Sequence, residues 1–190
     1  MHRIMPKVFI GLAGKLASGK GRVSGHLIEK YDADRIRSSD PLRQTLDLFG
    51  LPQSRDNLSS LSTFLRSTYG EDTIAKAMGN MLSQSPKNVA IFDGMRRIVD
   101  VKHFRTFDHF TLIYVNASPE VRYDRYIKRN ENPGDAEMSR ADFDKRYNAE
   151  PEQEIEGLKE HADFVIDNNV NSIEHLDSQI DEVLTKILTA

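Results

Sequence analysis

The chain has no cysteine, and none of its apolar stretches is long. Without cysteine it can form no disulfide, no thiolate zinc site and no cysteine nucleophile, and the composition suits a reducing compartment. The apolar run at 8–13 is too short for the core of a signal peptide, and no stretch approaches the length of a membrane span. We therefore expect a cytoplasmic protein with no membrane partner.

The chain also has no excess of positive charge, since 26 Lys and Arg residues stand against 29 Asp and Glu residues and the formal net charge is −3. A balanced chain of this kind is not typical of a general polyanion binder, although a local basic site remains open to it. We therefore expect no stable nucleic-acid partner.

The chain does contain enough apolar residues, 38% of 190, to build the core of one compact domain. Continuous apolar runs predict buried strands at 7–13, 88–93, 110–115 and 162–166. Helical patterns predict helices at 20–30, three helices within 41–84, and helices at 119–130, 139–149 and 173–188. This alternation predicts a parallel sheet with helices on both faces and a ligand at the carboxyl ends of the strands.

A glycine-containing loop directly follows the first predicted strand and opens the first predicted helix. Its sequence, Gly14-Lys15-Leu16-Ala17-Ser18-Gly19-Lys20, matches the phosphate-binding pattern of glycine, four residues, glycine and lysine. Glycine lets the backbone amides surround a phosphate, and the helix adds its positive end. Lys20 then supplies a charge for the transferred phosphoryl group.

The residue after this lysine is Gly21, where serine or threonine usually binds Mg²⁺. Glycine has no side chain to bind a metal. We therefore expect no direct metal ligand at this position, with Mg²⁺ held by phosphates and water and with Asp93 as the candidate carboxylate.

Four segments resemble adenylate kinases and other nucleoside monophosphate kinases. Ser18-Gly-Lys-Gly21 is similar to their phosphate loop, and Ser39-Asp-Pro-Leu-Arg43 is similar to the stretch whose arginine binds the acceptor phosphate. Asp93-Gly-Met-Arg-Arg97 resembles their Asp-Gly-x-Pro-Arg stretch, and Arg125-Tyr-Ile-Lys-Arg129 resembles the arginines at the root of their lid. The resemblance implies ATP and Mg²⁺ as cofactors and an ATP site formed by Gly14, Lys15, Ala17, Ser18, Gly19, Lys20, Gly21, Arg22 and Arg125.

Other segments resemble little-characterised kinase-like P-loop proteins of archaea and bacteria that are often compared with dephospho-CoA kinase. They are 63–76, the Asp-Gly-x-Arg core and 162–168, and this resemblance spans nearly the whole chain. Three features depart from adenylate kinases: Arg22 replaces a usual threonine, the Met95-Arg96 pair lacks proline, and the loop at 130–138 is short and has no cysteine. With these resemblances, the chain is predicted to be a single P-loop kinase domain over 1–190, an α/β P-loop NTPase fold with a five-stranded parallel sheet.

Phosphoryl transfer needs positioned anions and neutralised charge more than it needs a nucleophile. The predicted catalytic residues are Lys20, Asp93, Arg97, Arg125 and Arg129. The predicted acceptor-binding residues are Asp40, Arg43, Arg66, Arg96, Arg97 and Arg146, with the choice between Arg96 and Arg97 for the acceptor phosphate left open. The helices at about 40–87 are expected to bind the acceptor, and the segment at about 130–150 is expected to close as a lid.

We therefore predict a monomeric ATP-dependent phosphotransferase that acts on a small phosphate-bearing acceptor, with a nucleoside or deoxynucleoside monophosphate as the first candidate. One alternative is a dephospho-CoA kinase-like or nucleoside kinase activity on a hydroxyl group, for which Asp40 would take the proton. Asp40 before Pro41 can also be the N-cap of a helix. A slow ATPase that serves as an assembly factor or regulator is the other alternative. The sequence leaves open whether ATP or GTP is the donor.

Overall fold

The computed structural model describes residues 7–129, 136–147 and 150–189. Within them, five parallel strands form one sheet in the spatial order β2-β3-β1-β4-β5. The strands are β1 Val8–Ala13, β2 Asp34–Arg37, β3 Val89–Met95, β4 Phe110–Asn116 and β5 Phe164–Asp167. The prediction of a five-stranded parallel sheet is therefore confirmed.

The helices follow the strands as the alternating pattern predicts. They are α1 Lys20–Tyr31, α2 Asp40–Leu48, α3 Arg55–Tyr69, α4 Thr73–Ser83, α5 Ile98–Phe104, α6 Pro119–Arg129, α7 Arg140–Tyr147, α8 Glu150–Gly157 and α9 Ile173–Thr189, with a 3-10 helix at Leu158–His161. None of the described helices is long and apolar enough to cross a bilayer.

Two hydrophobic cores lie on opposite faces of the sheet. In β1, Val8, Ile10 and Leu12 belong to the core shared with α1 and α9, whereas Ala13 belongs to the core shared with α4 and α5. A central strand that packs on both faces must be apolar at successive positions. This double burial explains the continuous apolar runs in the sequence.

Strand β2 is the one strand whose position the sequence analysis missed. Its residues are Asp34, Arg35, Ile36 and Arg37, and Ile36 alone is buried. The strand lies at the edge of the sheet beside β3, where charged side chains are well tolerated. Because three of its four residues are charged, it gives no apolar run to detect.

Helix α3 stands on the acceptor-binding side that the sequence predicts at 40–87, and none of its residues is fully buried. The Ser54 side chain caps the helix by accepting a hydrogen bond from the backbone amide of Asn57 at 3.2 Å. The helix ends at Gly70, whose φ of 109° favours glycine. Local signals therefore set both ends of a helix whose exposed side is free to form one wall of a cleft.

On the opposite face, one carboxylate joins the first and last helices. Asp181 of α9 accepts hydrogen bonds from Lys30 at 2.7 Å and Tyr31 at 2.8 Å, and its Oδ1 lies 2.7 Å from Nε2 of the buried His26. Burial works to raise the pKa of Asp181, but these hydrogen bonds outweigh it and hold the pKa well below its usual range. We call this group the α1–α9 clasp.

Candidate active site

The phosphate loop, residues 14–19, connects β1 to α1 at the carboxyl edge of the sheet. Gly14 has a φ of 143°, and a Cβ added there would lie 2.5 Å from the carbonyl oxygen of Val115. Gly19 has a φ of 106°, and its Cβ would lie 2.1 Å from Nδ2 of Asn168. Both motif glycines are therefore required, because their backbone conformation favours glycine and because Val115 and Asn168 leave no room for a Cβ.

Lys20 is the first residue of α1, and its side chain turns back across the loop. Its Nζ donates hydrogen bonds to the carbonyls of Gly14 at 2.6 Å and Lys15 at 3.1 Å. The ammonium group therefore lies on the loop, where phosphate oxygens of a bound nucleotide would meet it.

Asn168, just after β5, holds the loop from the other side. It is 5% exposed, and its Nδ2 donates a 2.8 Å hydrogen bond to the carbonyl of Ser18. Arg125 of α6 in turn donates a 3.2 Å hydrogen bond to Oδ1 of Asn168, and burial lowers the pKa of its guanidinium. The loop is thus hydrogen-bonded to the residue that follows β5 and, through it, connected to helix α6, and Arg125 lies beside the loop as the sequence predicts.

A cleft of about 520 Å³ opens in front of the phosphate loop, a size common for small-molecule sites. We call it the donor cleft. Its cationic lining residues are Lys20, Arg22, Arg37, Arg96, Arg125 and Arg129, and its carboxylate is Asp93. This excess of positive charge suits a polyphosphate.

Asp93 lies near the carboxyl end of β3, and its side chain is 14% exposed. Its Oδ2 lies 3.8 Å from Nη1 of Arg35, a β2 residue that also donates to Oγ of Ser24 in α1 at 3.2 Å. No group of three or more His, Asp or Glu residues suited to a metal ion occurs in the described part of the chain. Asp93 is therefore a single carboxylate beside the phosphate site.

A second and larger cleft of about 930 Å³ adjoins the donor cleft. We call it the acceptor cleft. It contains the arginines Arg55, Arg66, Arg96 and Arg97. The lining that it shares with the donor cleft is Ser38, Ser39, Gly94 and Arg96. Two anionic ligands bound in these clefts would meet at this shared wall, which the carboxyl ends of β2 and β3 form.

The acceptor cleft also contains a buried carboxylate. Asp100 of α5 is 8% exposed, and its Oδ1 makes no hydrogen bond to the residues that the structure describes. Arg66 Nη1 lies 3.9 Å away and donates instead to the carbonyl of Glu71. Burial raises the pKa of Asp100, against the opposite effect of Arg66 and of the backbone amides of Arg96 and Arg97, and burial lowers the pKa of Arg66. The ionised pair is therefore only partly compensated.

The structure brings most of the predicted residues to the two clefts. Those that line the donor cleft are Ala17, Gly19, Lys20, Gly21, Arg22, Asp93, Arg96, Arg125 and Arg129. Those that line the acceptor cleft are Arg66, Arg96 and Arg97. Arg96 lines both clefts, whereas Arg97 lines the acceptor cleft and pairs with Glu71. The geometry therefore places Arg96, rather than Arg97, at the junction.

Two other predicted residues, Arg43 and Asp40, are not among the residues that line the clefts. Arg43 donates a 2.7 Å hydrogen bond to Gln53 and lines neither cleft. Asp40 is not the N-cap of α2, which is Ser39, and its carboxylate accepts a 2.8 Å hydrogen bond from the backbone amide of Arg37. It lines neither cleft either.

The remaining predictions concern the phosphate loop and the lid. Lys15 pairs with Glu156 of α8 at 2.6 Å and, with Ser18, lines a separate cavity of about 260 Å³. Within the predicted lid at 130–150, positions 130–135, 148 and 149 and the side chain of Arg146 lie outside the described residues.

Several cleft residues were missed by the sequence analysis, namely Arg37, Ser38, Ser39, Arg55 and Asp100. The two serines directly follow β2, so recognition of that strand would have placed them at the ligand edge of the sheet. Arg55 and Asp100 belong to helices and give no motif signal.

Comparisons with known proteins agree with this architecture. A family model described as an AAA domain matches residues 10–156. A UPF0200 protein of Sulfurisphaera tokodaii is 28% identical over 179 residues, which cover 94% of this chain and 97% of that protein. A UPF0200 protein of Methanocaldococcus jannaschii is 27% identical, over 95% of this chain and 91% of that protein.

Solved structures show the same fold at low identity. TT1252 of Thermus thermophilus has a TM-score of 0.60 and 17% identity, over 95% of this chain and 98% of that chain. A shikimate kinase of Bacteroides thetaiotaomicron has a TM-score of 0.60 and 16% identity, over 94% and 98% of the two chains. A gluconokinase of Sinorhizobium meliloti has a TM-score of 0.54 and 14% identity, over 97% of each chain. The fold is that of a P-loop kinase, and the closer kinship to adenylate and nucleoside monophosphate kinases stays a prediction.

Proposed function

Since the chain belongs to this AAA domain family and has the fold of a P-loop kinase, we propose that it transfers the γ-phosphate of ATP·Mg²⁺ to a small phosphate-bearing acceptor, as nucleoside monophosphate kinases do. The observation that carries the proposal is the junction of two clefts at Arg96, one at the phosphate loop and one rich in arginine. In-line transfer needs donor and acceptor anions side by side, which this arrangement offers.

The donor cleft supplies the groups that hold a triphosphate. The loop amides and Lys20 face the phosphates, and Arg125 and Arg129 add charge from α6. Gly21 has open space around it and no metal-binding side chain, so Asp93 is the one carboxylate of this cleft that can hold water bound to Mg²⁺. Bound Mg²⁺ would supply neutralising charge on the phosphates.

The acceptor cleft supports a ligand that carries a phosphate group. Its arginines, Arg55, Arg66, Arg96 and Arg97, offer planar guanidinium groups that suit bidentate phosphate binding. Asp40 lines neither cleft and accepts a hydrogen bond from the backbone amide of Arg37, so its position does not support the alternative in which it is the base of a hydroxyl-directed reaction.

A second candidate function is phosphorylation of a hydroxyl group on a small metabolite. The names of the solved shikimate kinase and gluconokinase favour this candidate, and Asp93 near the shared wall would then take the hydroxyl proton. Asp93→Asn alone does not separate the two candidates, because the same carboxylate would hold Mg²⁺-bound water in transfer to a phosphate. The identity of the acceptor that stimulates ADP formation separates them.

The decisive experiment measures ADP formation from ATP across a panel of nucleoside monophosphates, nucleosides, dephospho-CoA, shikimate and gluconate. Lys20→Ala is the blank, and Lys102→Ala, a change at an exposed lysine of α5, is the matched control. The proposal expects one phosphate-bearing acceptor to stimulate ADP formation in the wild type and the control but not in the blank. Hydrolysis that no acceptor stimulates would favour a slow ATPase with a regulatory role, and replacement of ATP by GTP tests the donor.

A further inference from the structure

A buried acid in a cleft rich in arginine needs an explanation. Asp100 occupies the first turn of α5 and lines the acceptor cleft, but it is 8% exposed and its Oδ1 accepts no hydrogen bond from the described residues. A buried carboxylate oxygen without a donor is unfavourable, because it loses water and gains nothing in return.

The neighbouring guanidinium of Arg66 does not donate a hydrogen bond to Oδ1 of Asp100. Nη1 of Arg66 lies 3.9 Å from Oδ1 of Asp100, outside hydrogen-bond distance, and the same nitrogen donates to the carbonyl of Glu71. Both side chains are 12% exposed, and both residues line the acceptor cleft. Oδ1 is itself buried, so the Asp100 carboxylate must turn toward the cleft to accept a hydrogen bond from a donor there.

We propose that Asp100 determines acceptor specificity, with its carboxylate accepting a hydrogen bond from an N–H or O–H group of the acceptor. The inference rests on the proposed function and narrows the substrate class to molecules that carry both a phosphate and such a donor, such as a nucleoside monophosphate with an amino group. Purely anionic acceptors, such as inorganic phosphate or pyrophosphate, would meet the carboxylate with like charge and should bind less well than an acceptor with such a donor.

The kinetic test compares Asp100→Asn with wild type for each acceptor of the panel. The amide keeps the size of the side chain but not its charge. The acceptor KM should therefore rise about 10- to 100-fold for acceptors whose N–H or O–H group bonds the charged carboxylate, and the KM for ATP should stay unchanged. Asp108→Asn, at an exposed aspartate of the α5–β4 connection, is the matched control and should leave both constants unchanged.

A second readout separates a binding role from a structural one. If Asp100 serves the acceptor, Asp100→Asn should raise the KM much more for acceptors that carry an N–H or O–H donor than for a phosphate-bearing acceptor without one. Removal of one partner of a buried pair is destabilising in either case, so the Tm of the variant checks only that it is folded at the assay temperature. If Asp100 is instead only a structural partner of Arg66, the KM should rise equally for every acceptor, which would overturn the inference.

The outcomes also separate this inference from the proposed function. Phosphoryl transfer with the same acceptor KM in wild type and Asp100→Asn would refute the role of Asp100 alone. The absence of stimulation by any acceptor would remove the proposed function and this inference with it. A raised KM confined to acceptors that carry the N–H or O–H donor would establish Asp100 as a specificity residue.

Discussion

The contact between Asn168 and the phosphate loop makes a quantitative prediction for Asn168→Ala. The substitution removes the 2.8 Å hydrogen bond to the carbonyl of Ser18 and the 3.2 Å hydrogen bond from Arg125. The first is a neutral bond that contributes about 1 kcal/mol, and the second involves a charged donor and contributes about 2 kcal/mol. We therefore expect the free energy of unfolding to fall by about 3 kcal/mol, because Asn168 is buried and water cannot replace the lost partners.

The same change should weaken ATP binding, since the loop and Arg125 both lose an anchor. We expect the KM for ATP to rise on the order of tenfold, which corresponds to about 1.4 kcal/mol. Urea unfolding and initial rates at varied ATP measure the two effects. Asn171→Ala, at an exposed asparagine of the same connection, is the control and should change neither.

A double-mutant cycle with Gly19→Ala sharpens the test. A Cβ at Gly19 would lie 2.1 Å from Nδ2 of Asn168, so most of the clash should disappear when that side chain is shortened, whereas the strain of a φ of 106° should remain. We expect the cost of Gly19→Ala to fall by about 1 kcal/mol or more in the Asn168→Ala background. Additive effects in the cycle, or wild-type stability of Asn168→Ala, would refute the contact as described.

Three further predictions follow from the site and the fold. Gly14→Ala would place a Cβ 2.5 Å from the carbonyl of Val115 at a φ of 143°, so ATP affinity measured by calorimetry should fall more than about tenfold, and normal affinity would contradict the loop geometry. Arg96→Ala should lower kcat/KM for the acceptor by about 100-fold, against less than about threefold for Arg43→Ala, and equal losses would contradict the assignment of Arg96 to the junction. Because folding depresses the pKa of Asp181 in the α1–α9 clasp, this carboxylate stabilises the fold above its unfolded pKa of about 3.9, and the effect is lost as the pH falls through the lower folded value. Asp181→Asn should therefore be less stable than wild type in urea at pH 7, with a difference that shrinks in acid; a difference independent of pH would count against the clasp.

The phosphate loop shows how much a short segment of sequence can predict. Gly14, Gly19 and Lys20 are close in the chain, and their roles depend on local backbone geometry and on the helix that follows directly. The same holds for the central strands, because burial on both faces demands apolar residues in succession. Such features need no knowledge of distant contacts.

The cleft residues show where this reasoning stops. Arg43 was predicted at the acceptor site from a resemblance that covers a short segment, but its side chain lies against Gln53 instead. Arg55 and Asp100 were not predicted, although both line the acceptor cleft. The local sequence around Arg55 and Asp100 is that of an ordinary helical arginine or aspartate, so sequence periodicity could not identify them as cleft residues.

Residues close together in the chain suffice to predict a parallel sheet with a phosphate loop at its carboxyl edge, because these features arise from neighbouring residues. Which charged groups meet in the acceptor cleft depends instead on tertiary contacts. That cleft joins the end of β2, helix α3, the β3–α5 connection and α8, and their meeting depends on the strand order β2-β3-β1. Because β2 is a charged edge strand without an apolar run, only the folded sheet brings Arg66, Arg96 and Asp100 to one cleft.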